Sequence, residues 1–147
     1  MRRLSASEMS YASRFLAKRM IPIWHHPYDA DNRDLERLTG MKFEELEEIM
    51  REACIQADIN LGNANYYAFY ERDEDTIELI FPLLNSSGVE YPHRLFKKLE
   101  QVWHKHARTS SRIEFVRIDL KNARDFKEVM EHDDFLRSLW KYMIVIS

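Results

Sequence analysis

The feature that most constrains this chain is the stretch KFEELEEIMREACIQAD, residues 42–58, in which Phe43, Leu46, Ile49, Met50, Ala53, Cys54 and Ala57 recur at intervals of three and four. Only an α-helix brings residues at that spacing onto one face, so the segment must be helical with that face buried. The opposite face is thereby fixed as well. It carries Glu44, Glu45, Glu47, Glu48 and Glu52, with Lys42 and Arg51 as the only cations of the segment. Any fold built around this helix presents a strongly acidic surface to water or to a partner.

Charge is segregated along the rest of the chain too. The formal net charge is −3, yet residues 41–90 carry −9 and residues 91–124 carry +6, with +2 before them and −2 after. Such segregation bears on partners and solubility rather than on fold. Among 147 residues, 45% are apolar and only 3 are Gly and 4 Pro, which fits one domain with a real core and no long linker. The basic opening MRRLSASEMSYASRF lacks the apolar run of a signal peptide, and no stretch approaches the ~20 apolar residues of a membrane helix. Cys54 is the only cysteine, so no intramolecular disulfide can form. A cytoplasmic protein without membrane contact is expected.

The element pattern follows from periodicity and turn chemistry. Ser5 to Glu8 is a capping box that opens a helix carrying Met9, Ala12, Phe15, Leu16 and Met20, stopped by Pro22. IPIWHHPYDADN is then a connection. Asp31 can cap a short helix with Leu35 and Leu38, and Gly40 closes it. The long acidic helix follows and ends at Asn60, Gly62 and Asn63. YYAFYERDEDTIELIF is a β-hairpin around RDED, closed by Pro82. Pro92 suits the first turn of a helix bearing Leu95, Phe96, Leu99, Val102, Trp103 and His106. RIEFVRIDL has Val116, Ile118 and Leu120 on one face and Ile113 and Phe115 on the other, as expected of an inner strand. Asn122 and Asp133 or Asp134 can start C-terminal helical turns, and MIVIS fits a helix end or a short strand.

The order is thus α-α-α-β-β-α-β-α. The expected class is α+β, with three N-terminal helices, a hairpin and a helix–strand–helix, forming a small three-stranded sheet with helices packed on it. LERLTGMKFEELEEIM followed by the hairpin resembles a winged-helix domain in pattern, over about Ser7 to Phe81. That resemblance would make the acidic helix the one that reads bases. A reading helix brings Arg, Lys, Asn or Gln to the major groove, whereas residues 42–58 carry a net charge of −4. The surface is then either abandoned or turned to proteins. Glutamates in a first turn also suit the helix dipole by about 0.3–1 kcal/mol each. Glu44–Glu48 and Glu48–Glu52 repel by about 0.2–0.5 kcal/mol. A plain solvated face therefore stands beside the partner-binding one.

The helix after Pro92 carries the opposite charge. Arg94, Lys97, Lys98, Gln101, Lys105 and Arg108 fall on one face, opposite the apolar stripe and about 20 Å long. Arg112 and Arg117 follow. This stripe can track a phosphate backbone, meet an acidic protein surface or simply be solvated. It can also pair with the acidic helix, within one molecule or across a homodimer.

No catalytic constellation stands out. His25 and His26 are adjacent and His104 and His106 two apart, and HExxH, CxxC, GxSxG and a phosphate-cradling glycine loop are all missing, so no metal or cofactor is expected. Cys54 sits on the apolar stripe as a buried thiol. His132, Asp133 and Asp134 read as helix capping rather than acid–base chemistry. Trp24, His25, His26 and Tyr28 cluster in a connection, where aromatics often mark contacts. The expected function is a non-enzymatic regulatory or adaptor module that binds a protein partner through Glu44, Glu45, Glu48 and Glu52, with Trp24 and Tyr28. The alternative is a nucleic-acid binder using Arg94, Lys97, Lys98, Lys105, Arg108 and Arg112.

Overall fold

A computed structural model describes residues 20–26, 33–118 and 143–146. These form three helices, α1 (Arg33–Thr39), α2 (Phe43–Gln56) and α3 (His93–His106). They also form five strands, β1 (Met20–His26), β2 (Tyr66–Glu71), β3 (Thr76–Pro82), β4 (Arg112–Ile118) and β5 (Met143–Ile146). The strands make one mixed sheet in the order β1-β2-β3-β4-β5, antiparallel throughout except for the parallel pair β3–β4. The class is α+β, as expected.

Local chemistry explains the boundaries. α1 stops at Gly40, which takes φ +74 and donates its N–H to the Glu36 carbonyl at 2.9 Å. Glycine enters this left-handed region without a Cβ clash. α2 starts at Lys42 without a side-chain cap, and the glutamates of its first turn complement the dipole instead. Just past its last residue, Gln56, and the cap Ala57, Asp58 takes φ 58 and the Ile59 N–H reaches back to the Cys54 carbonyl at 2.8 Å. The hairpin turn is held from inside: the Glu71 carboxylate, 0% exposed, accepts from the backbone N–H groups of Asp73 at 3.3 Å and Glu74 at 2.7 Å.

One sheet face is made by Ile23 of β1, Tyr66, Ala68 and Tyr70 of β2, Ile77, Leu79 and Phe81 of β3, and Phe115 of β4. The apolar stripes of α2 (Leu46, Ile49, Met50, Ala53, Cys54) and α3 (Leu95, Phe96, Leu99, Val102, Trp103) share the same core. Phe81 sits at the centre, with ring centroids 5.1 Å from Tyr91, 5.2 Å from Phe96 and 5.4 Å from Tyr66. The second sheet face is buried as well, at Phe69, Ile80, Val116 and Ile118. Strands closed on both faces read as near-continuous apolar runs, which is why TIELIF and RIEFVRI show so little alternation.

Topology sets the helix directions. α3 connects two parallel neighbours and so runs back along the sheet against both of them. α2 leads into β2 through a short connection and runs against it. Since β2 and β3 are antiparallel, α2 and α3 lie antiparallel to each other on one face.

Several expectations are corrected. The sheet has five strands rather than three. Met20, expected in the first helix, and IPIWHH, expected as a connection, form β1. Its proline is tolerated because β1 is an edge strand, where one row of N–H groups has no ladder to join; the pairing with β2 also shifts register between Pro22 and Trp24. Pro92 precedes α3 as its cap residue rather than sitting in its first turn. MIVI is a strand, and β4 is indeed interior, between β3 and β5. The capping box at Ser5, the cap at Asp31, and the helical turns at Asn122 and Asp133–Asp134 lie outside the described residues.

A polar hub ties the hairpin to the α3–β4 loop. The Asp75 carboxylate accepts from the Tyr70 hydroxyl and the Ser111 hydroxyl, both at 2.7 Å, and the Asp75 carbonyl accepts from the Arg112 N–H at 2.9 Å. The Ser111 bond, with that from Tyr70, holds the Asp75 carboxyl below the usual carboxylate range. Burial, reinforced by Asp75, pushes the Tyr70 phenol up to about 12. Asp75 has φ 50, so Asp75→Gly preserves the backbone while deleting the acceptor, and it should destabilise the fold by about 1–3 kcal/mol. A depressed folded-state pKa stabilises above the unfolded value and is lost as pH falls through the folded one. Urea unfolding across pH 2–6, an interval set by the ~3.9 of a free aspartate, should therefore show a shallower acid loss in Asp75→Gly than in wild type. Identical pH profiles would contradict this role.

Candidate interaction surface

Contacts at both ends fix the seam between α2 and α3. At one end Arg94 Nε donates to the Ala57 carbonyl at 2.7 Å. This satisfies an orphan acceptor at the C-terminus of α2 and sets a cation at the negative end of its dipole. At the other end the Arg108 N–H donates to Glu45 Oε1 at 2.8 Å, and His106 Nε2 lies 3.4 Å from Glu52 Oε2. The acidic and basic helices are thus neighbours on one side of the molecule.

Near the N-terminus of α2 the seam opens into a cleft of about 620 Å³. Glu44, Glu45, Glu48 and Glu52 all line it, with Ile49, 2% exposed, at its base and Lys42, His106 and Arg108 around it. Arg51 neutralises part of this charge by pairing with Glu48 at 2.8 Å, and Gln56 donates to Glu52 at 3.1 Å. Glu47 takes no part in the cleft. Its charge acts instead at Tyr66, whose hydroxyl is pushed well above the usual phenol range, first by burial and then by Glu47.

The basic residues divide. Lys97 and Lys105 are exposed and Lys98 is half-buried, and none of the three forms an ion pair among the described residues. Arg108, expected on the helix, lies beyond it: α3 stops at His106, and Ala107 turns extended at φ −67, ψ 131. Hydroxyls hold the loop that follows, where Thr109 Oγ1 donates to the Thr39 carbonyl at 2.6 Å and accepts from the Ser111 N–H at 3.2 Å. Arg112 does not continue the stripe. It opens β4 opposite Thr76 and points to the second sheet face by strand alternation. Arg117 points to the helix face, where its guanidinium lies 5.1 Å from the Phe96 ring centroid and donates to the Tyr91 carbonyl.

Trp24 belongs to β1 and pairs with Ala68, and Tyr28 lies outside the described residues. Trp103 and Phe96 are core residues, as their spacing implied, and the Trp103 indole donates to the Ser111 carbonyl at 3.3 Å. The parts of the cleft that sequence reasoning missed, Gly40, Lys42, Ile49 and His106, carry no shared local signal; only packing of one helix on the other assembles them.

No helix among the described residues is long and apolar enough to cross a membrane. Comparison with protein-family models, curated proteins and solved structures returns no match.

Cys54 is 1% exposed, and burial pushes its thiol up to about 11. Both effects suppress the thiolate that reacts. Labelling by an aromatic disulfide reagent at pH 8 should run more than about tenfold slower in the native protein than in urea, limited by opening of the fold. Equal rates would show that α2 does not bury this face.

Proposed function

We propose that this protein is a non-enzymatic binding module that docks a protein partner on the outer surface of α2 and α3, anchored in the cleft between them. The observation that carries this reading is the gathering of Glu44, Glu45, Glu48 and Glu52 around Ile49 in one cleft. Carboxylates so placed accept charge-assisted hydrogen bonds from Arg or Lys, and the seam offers an apolar contact beside them. The partner this chemistry suits is a protein segment that presents cations next to an apolar side chain. Surface charge of this kind contributes orientation and association rate more than affinity.

The nucleic-acid reading draws on Lys97, Lys98 and Lys105, which hold no ion pair among the described residues. Against it stands the neighbouring helix. Packed helices lie about 8–10 Å apart, within or near the ~8 Å screening length at physiological ionic strength. A phosphate backbone following α3 therefore meets the field of the α2 carboxylates. The winged-helix resemblance meets the same obstacle, because the helix it would use to read bases, α2, carries Glu44 and Glu48 on its exposed face.

Affinity capture from native lysate, with and without nuclease, separates the readings. Capture should survive nuclease, fall at least about tenfold with Glu45→Lys/Glu48→Lys (roughly 1.4 kcal/mol) and change less with Lys97→Glu/Lys98→Glu. Loss of capture on nuclease treatment, together with loss in the lysine variant, would favour nucleic acid and overturn the proposal.

A further inference from the structure

We propose that the α2–α3 surface is self-complementary and that the partner it fits is a second copy of this chain, an inference that rests on the binding reading above and names its partner. The acidic and basic strips run side by side on one outward surface, and above the shared apolar core the polar contacts across the seam among the described residues are Arg94–Ala57, Glu52–His106 and Glu45–Arg108. Lys97, Lys98 and Lys105 form no ion pair with α2. The lysine charges of α3 therefore stay available to a second molecule.

A twofold axis lying in this surface along the seam, parallel to both helices, exchanges left and right and leaves the position along the seam unchanged. It lays the acidic strip of each copy over the basic strip of the other, so that two equivalent sets of attractive contacts form at once. The levels that face each other are already fixed within one chain. Glu45 is level with Arg108, and Ala57 with Arg94. Glu44 and Glu48 of one copy therefore meet Arg108 and Lys105 of the second, and the helices brought face to face run antiparallel. A twofold axis across the helices would stack acid on acid and base on base, and repulsion disfavours it.

Ile55, 71% exposed and on the outer face of α2 with Glu44 and Glu48 by helical spacing, comes level with Lys97 and Lys98 of the second copy, whose methylene stems it can cover. Size sets the strength. Two helices of 14 residues, each ~21 Å long and ~10 Å apart, offer about 400 Å² per copy. The ~800 Å² total is below the range of stable specific complexes. The dimer is accordingly weak, reversible and salt-sensitive, and it competes with any basic protein for the acidic strip.

Sedimentation of the full chain over a range of concentrations, at about 0.05 and 0.5 M salt, reads the association directly. At low salt the mass should climb from 17.8 kDa toward twice that value, and association should weaken at least about tenfold at high salt. Glu44→Lys/Glu48→Lys and Lys105→Glu/Arg108→Glu, all at exposed positions and checked for folding by circular dichroism, should each remain monomeric alone. Mixed together, they should associate, because one variant then carries two basic strips and the other two acidic ones. A wild-type chain that stays monomeric at every concentration, or variants that ignore each other when mixed, overturns the proposal; the salt series needs no variant. Should self-association fail while Glu45→Lys/Glu48→Lys still loses a captured protein, only this inference falls. Unchanged capture by that variant sinks the binding reading itself.

Discussion

The parallel pairing of β3 with β4 is the constraint from which the surface follows. Parallel neighbours cannot be joined by a tight turn, so the chain must travel the length of the sheet before β4 can form. α3 makes that journey, and its apolar stripe from Leu95 to Trp103 holds it on the face that α2 also covers. Had β3 and β4 been joined as a hairpin, the basic segment would have had no reason to lie beside the acidic one. The hub at Asp75 supports the arrangement from below, bonding the start of β3 to the loop through which the crossover returns.

Given that placement, electrostatics limits what the surface can do. Antiparallel neighbours put each helix terminus beside its opposite, and Arg94 on the Ala57 carbonyl uses that directly. The strips themselves lie about one screening length apart in physiological salt. They are close enough for each to spoil the other's attraction for a long uniform charge such as a phosphate backbone. A partner with its own alternation of charge is favoured over one with a single sign. Exposed ion pairs contribute only about 0–1 kcal/mol apiece, so this logic selects and orients partners, while affinity depends on what the cleft and Ile55 bury.

Much of this architecture was legible in the residues. α2, α3, the hairpin and the interior position of β4 follow from apolar spacing, because burial on one or both faces writes a period of 3.6, a period of 2 or an unbroken run. β1 was not legible: Pro22 resembles a helix stop, and only knowledge that the strand lies at an edge makes it permissible. β5 is ambiguous in the sequence because four apolar residues fit either element. The four glutamates of the cleft were identifiable from charge alone, but their closure against His106 and Arg108 depends on the helix direction imposed by the sheet. Arg112 misled for the opposite reason, since nearness in sequence to the basic helix hid a change of period that turns it to the other face of the sheet.

The central claim is that α2 and α3 lie side by side and antiparallel, with Glu44 level with the end of α3 rather than its beginning. Paramagnetic broadening from a nitroxide at Glu44→Cys, in a Cys54→Ala background and at high salt to keep the chain dilute and monomeric, measures this directly. The amides of Lys105, His106 and Arg108 should broaden far more than those of Arg94 and Leu95. Stronger broadening at Arg94, or none along α3, would contradict the account.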